Sequence, residues 1–157
     1  MKKTSGLLLA IFLALLAVGC AEKKNTLPAG EEILEHVSPY LEDTVFMDPA
    51  TYSSLNDFLN AYLGLSEKEV SEAVLYMGAP HQNTTFFLML TKAADADSGL
   101  ILEKLESIMQ DQVHTAEMGY MSGYTKYAII EKGDKVFAIM HEDPESFSEL
   151  QSYLNSL

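Results

Sequence analysis

The chain has no arginine, a single cysteine, and no apolar run long enough to cross a bilayer. Each absence removes a class of function. Without arginine there is no bidentate guanidinium fork for a carboxylate or a phosphate. A nucleic-acid backbone is usually met by clustered Arg and Lys, and this chain carries a net charge of −13, so no nucleic-acid partner is expected. One cysteine can neither close a disulfide within the chain nor build a multi-cysteine zinc site. The longest apolar run, Leu7 to Val18, has 12 residues, short of the roughly 20 that span a hydrocarbon core. No phosphate-cradling glycine loop and no His-Glu-x-x-His pattern is present, so neither a cofactor nor a metal is expected.

What is present at the N-terminus gives that short run a meaning. Met1-Lys2-Lys3 is basic, Leu7 to Val18 is apolar, and Ala17-Val18-Gly19 brings small residues up to Cys20. This is the order of a secretory signal. The segment resembles the lipobox of bacterial lipoproteins, with Ala17 standing where leucine is commoner. The resemblance implies cleavage before Cys20 and a thioether from its sulfur to diacylglycerol. Residues 1–19 then form a signal peptide, and Cys20 is the lipid attachment site. The protein is expected at the cell membrane, lipid-anchored and facing outside the cytoplasm. Two acyl chains supply the two hydrophobic signals that stable anchoring takes. Once the thiol is consumed, thiolate chemistry drops out as well.

Loss of residues 1–19 leaves 138 residues, in which 8 lysines face 23 acidic residues for a net charge of −15. That length suits one domain. An anionic leaflet repels such a domain, so the lipid holds it close while its charge keeps it off the surface. The expected protein partner is cationic. Residues 20–30, polar and punctuated by Pro28 and Gly30, read as a flexible tether, and residues 31–157 as a single domain.

Within the domain, Ile33, Leu34, Val37 and Leu41 recur at helical spacing until Pro39 ends or kinks the helix. Leu55, Phe58, Leu59 and Tyr62 mark a second helix, opened by Ser53 or Ser54 and stopped at Gly64. Ala73–Met77 is a short strand. Thr84–Thr91 is the most apolar run outside the signal and reads as a central strand buried on both faces. A long helix covers about residues 98–116, with Asp97 as its cap. Tyr127–Glu131 and Lys135–His141 are two strands joined around Gly133-Asp134. Asp143-Pro144-Glu145 starts the last helix. The order ββαββα, after one or two N-terminal helices, predicts an α+β domain: a mainly antiparallel four-stranded sheet with helices packed on one face.

Several of these features together resemble a known family. They are Tyr62-Leu63-Gly64-Leu65 after an amphipathic helix, the apolar strand ending Leu90-Thr91-Lys92, the long helix, Gly119-Tyr120, and the hairpin from Ile129 to Val136. Over about residues 55–154 the chain resembles the bacterial lipoproteins grouped as the domain of unknown function DUF4358. Two positions depart from that pattern: Asn83-Thr84 stands where a Glu is common, and Met121-Ser122 where a Pro follows Gly-Tyr. The resemblance implies a lipoprotein setting and no settled activity.

The residues that could carry chemistry have plainer roles beside them. Asp95-Ala96-Asp97-Ser98-Gly99 is a fragment of a calcium loop, but the twelfth position, Glu106, falls inside the long helix, so a capped strand-to-helix loop is expected instead. None of His36, His81, His114 and His141 lies within five residues of another. An enzyme would need His81 and His141 to meet at a sheet edge beside Glu142 or Asp143, as a metal or acid–base cluster. Ser122 lacks the Gly-x-Ser-x-Gly elbow. The segment carrying Met118, Tyr120, Met121, Tyr124 and Tyr127 between Gly119 and Gly123 is different in kind. Amphipathic Tyr and adaptable Met on a glycine-flanked loop suit recognition. Tyr120, Met121 and Tyr124 are therefore the candidate partner-binding residues of an accessory or binding protein without catalytic activity.

Overall fold

The first backbone N–H groups of a helix have no partner inside it, and short oxygen-bearing side chains supply one. The computed structural model describes residues 27–78, 83–119 and 124–157. Helix α1 (Gly30–Val37) has no side-chain cap but places Glu31 and Glu32 in its first turn, where the helix dipole favours negative charge. Pro39 then tightens the chain into a 3₁₀ turn over Ser38–Tyr40. Strand β1 (Thr44–Met47) follows. Ser54 accepts from the Asp57 N–H and opens α2 (Leu55–Tyr62). Gly64, with φ +59°, takes the left-handed conformation just beyond it.

Strands β2 (Val70–Gly78) and β3 (Phe86–Lys92) come next, followed by α3 (Ser98–Glu117), which Asp97 caps through the Gly99 and Leu100 N–H groups. Strands β4 (Tyr127–Lys132) and β5 (Lys135–Met140) form a hairpin. Its turn begins at Gly133, whose φ of +57° suits a two-residue connection. Helix α4 (Pro144–Ser156) starts at Asp143, which accepts from the Ser146 N–H, with Pro144 at the first position.

The five strands form one sheet in the order β1-β2-β3-β5-β4, antiparallel at every pair. The expected four-stranded sheet therefore gains a member. Thr44–Met47 pairs with residues 75–78, and four residues are too few to display a strand period in the sequence. Helix α3 carries the chain from β3 past β5 to β4, so β3 occupies the centre.

The helices do not pack on one face as expected; they cover both. Every position of Phe86–Leu90 and of Lys135–Met140 is buried. In a strand successive side chains point to opposite faces, so full burial requires two covering layers. On one face Leu88, Leu90, Val136 and Ala138 meet Phe58 and Leu59 of α2 and Ile101, Leu105 and Met109 of α3. On the other, Phe87, Met89, Phe137 and Ile139 meet Ile33 and Val37 of α1 and Phe147, Leu150 and Leu154 of α4. Leu27 seats against the β4–β5 turn: a Cβ added at Gly133 would come within 3.1 Å of the Leu27 Cδ1, so the bare glycine makes room for that side chain.

Candidate functional site

The sheet end opposite the Gly133 turn gathers two of the residues singled out in the sequence. Chain reversal before β4 leaves Tyr124 beside the end of β5. Its N–H donates to the Glu142 carbonyl at 2.8 Å, and its own carbonyl accepts from the Thr84 hydroxyl at 2.8 Å. The Tyr124 ring stands edge-on to Phe147 of α4, with centroids 5.6 Å apart, a favourable quadrupole arrangement. The Lys126 ammonium lies over the ring, 5.8 Å from its centroid. Tyr124 is thus half-buried at the margin of the core under α4. An open cleft of about 590 Å³ adjoins it, with Val113, Tyr127 and Phe147 among its walls and Glu117, Lys126 and Gln151 as polar groups. Tyr120 and Met121, the other two candidate contact residues, lie outside the described residues, as do Cys20, His81 and Ser122.

His141, at the end of β5, is 9% exposed. Its Nδ1 accepts from the Asp143 N–H at 3.0 Å, and its Nε2 donates to the Tyr40 carbonyl at 3.1 Å. A carbonyl can only accept and an N–H can only donate, so this pair of bonds selects the neutral ring with its proton on Nε2. Both nitrogens are engaged by backbone. The imidazole therefore joins the 3₁₀ turn after α1 to the start of α4, and a small polar hollow of about 140 Å³ lies beside it. The Tyr40 hydroxyl donates to Glu149 at 2.9 Å, and that carboxylate raises the Tyr40 pKa. Asp143 is held below its ordinary value, first by the Ser146 backbone N–H.

The other described histidines stand apart. His36 on α1 stacks on Tyr153 of α4 with centroids 3.7 Å apart, while His114 is exposed near the end of α3. Asp97 spends its carboxylate on the α3 cap at 2.8 Å from the Gly99 nitrogen. Glu106 accepts from the Tyr127 hydroxyl. Among the described residues no three His, Cys, Asp or Glu side chains come together as metal ligands would.

One surface escaped the reading of the sequence. The outer strand β1 exposes Val45 at 49% and Phe46 at 45%. The Thr44 N–H is taken by the Leu41 carbonyl, and the Gly78 N–H by that of Thr85. Backbone groups alternate in direction along a strand, so Val45 and Met47 turn toward Met77 and Leu75 of β2. The Phe46 N–H and C=O then point outward, and they find no partner among the described residues. The available signal was the uncharged run Thr-Val-Phe-Met set between Asp43 and Asp48. A scan against protein-family models finds no match to this chain, and searches of the curated proteins and of the solved structures find none either.

Proposed function

We propose that this protein is a lipid-anchored extracytoplasmic accessory or binding module of the bacterial cell envelope, acting by contact rather than catalysis. One observation carries the anchor: Cys20 closes a basic, apolar, small-residue segment, the order that signal cleavage and lipidation require. In this reading the lipid is the means of attachment, and no helix among the described residues is long and apolar enough to cross a membrane. The resemblance to DUF4358 lipoproteins belongs to the same proposal and adds only the setting. The contact role draws support from His141, the one described member of the enzyme pair His81 and His141, whose two nitrogens are both engaged by backbone. A cationic protein is the partner that the acidic surface favours, and the segment Tyr120, Met121 and Tyr124 is one candidate surface for it.

The test is metabolic labelling with a palmitate analogue, followed by fractionation. The wild-type chain takes the label and sediments with membranes. Cys20→Ala takes none and is released or held as uncleaved precursor. A cleaved Cys20→Ala chain that still sediments with membranes would remove the lipid from the proposal.

A further inference from the structure

The observations carry furthest at the outer edge of the sheet. We propose that β1 is a docking edge, to which an extended segment of a cationic partner protein adds as a sixth strand, its apolar residues over Phe46 and its Lys or Arg residues beside Asp43 and Asp48. The inference rests on the reading of this domain as a binding module and is independent of the anchor.

Sheet edges normally carry devices against strand addition, such as inward charges, proline or bulges. Thr44–Met47 has none of these within it. Its shortness limits the addition to a few main-chain bonds, with the Phe46 N–H and C=O as the central pair. Those bonds give an added strand its affinity, and side chains on alternate positions give it selectivity. Phe46 supplies the apolar side: its ring lies 5.0 Å from that of Tyr76 on β2, and Val74 on the same face is also only partly covered.

Charge decides the occupant. From Leu27 to Ser66 the chain holds seven acidic residues and no lysine. Glu42 and Asp43 precede the strand, Asp48 follows it, and Glu42 and Asp43 are exposed. A second copy of this chain is disfavoured, because only residues whose backbone groups point outward can face one another, and antiparallel pairing of Thr44 with Phe46 sets Glu42 against Asp48 twice. A segment with lysine or arginine at its ends meets complementary charge at both ends instead.

The experiment uses the full chain purified in detergent and a fluorescent peptide of alternating Val and Thr with a Lys pair at each end. The peptide binds, and hydrogen exchange slows in the β1 segment. Backbone N-methylation on one edge of the peptide, replacement of its Lys by Glu, and Phe46→Lys on the protein each weaken binding about tenfold or more. Binding that survives N-methylation, or that leaves β1 exchange unchanged, overturns strand addition. Equal binding of the Glu peptide overturns the charge argument. Protection of β1 that grows with protein concentration alone makes the occupant a second copy and overturns the proposal. In cells, a photo-crosslinking residue at position 45 captures the partner. Capture from position 124 and not from 45 would sink the β1 edge while leaving the binding role standing.

Discussion

The two edges of the sheet are built differently. Strand β4 is tied to helices on both faces. On one side the Tyr127 hydroxyl donates to Glu106 of α3 at 2.5 Å, and Glu131 bonds both the Lys92 ammonium and the Ser98 hydroxyl at the start of α3. On the other side the Lys132 ammonium donates to the Asn155 carbonyl of α4 at 2.6 Å. Among the described residues strand β1 has nothing of this kind: Met47 packs toward the core of α2 and α3, while the Phe46 ring lies against that of Tyr76. One edge is braced to helices by polar side chains, and the other is apolar without such braces among the described residues. The difference separates what the sheet needs for stability from what it can offer to another chain.

The largest effect lies between the edges. Phe137 of β5 is fully buried, and Phe137→Ala is expected to cost about 3–5 kcal/mol in denaturant unfolding, by lost burial and the cavity left behind. A loss below about 1 kcal/mol would mean that the central strands are not the core. Tyr127→Phe, which removes the attachment to α3, should cost about 1 kcal/mol and raise hydrogen exchange in β4 but not in β1.

Acid should separate the edges without mutation. The Lys92 ammonium holds Glu131 below its ordinary value of 4.5. A lowered carboxylate contributes stability that is present above its unfolded pKa and lost as pH falls through the folded one. Exchange in β4 should therefore rise as pH drops below about 4.5, whereas β1 has no titrating side chain and should not follow. The opposite limb belongs to Tyr127, whose pKa the hydrogen bond to Glu106 raises above 10.0. That contribution is complete below pH 10.0 and disappears as the phenol ionises. The smallest effect is expected at the open edge: Phe46→Ala should change stability by no more than about 0.5 kcal/mol. A larger loss would show that β1 belongs to the folding unit as firmly as β4 does.

Features set by neighbouring residues were legible in the sequence. Ser54, Asp97 and Asp143 cap the helices they were expected to cap, because a cap needs only a short oxygen-bearing side chain and the next three residues. Gly64 and the Gly133 turn are local in the same sense. The β1 strand was not legible, since its pairing depends on residues 75–78, far along the chain. The second helical layer was half legible. Reading Thr84–Thr91 as buried on both faces already demanded cover on both, yet the stripes of α1 and α4 do not say which face they meet. Of the site, the sequence singled out Tyr124 as a contact residue of a glycine-flanked loop. It could not indicate that Phe147 and the Glu142 carbonyl fix it in place.

The seat of Leu27 over Gly133 has a geometric consequence. Six residues separate it from Cys20, seven Cα-to-Cα steps with a reach of at most about 25 Å. A lipid on Cys20 would therefore keep the β4–β5 turn within that reach of the bilayer. Thr44 pairs with Gly78 and Tyr127 with Met140, so the open edge and the Tyr124 end both lie at the far end of those strands. The tether would then leave that far end the freer of the two to meet another protein.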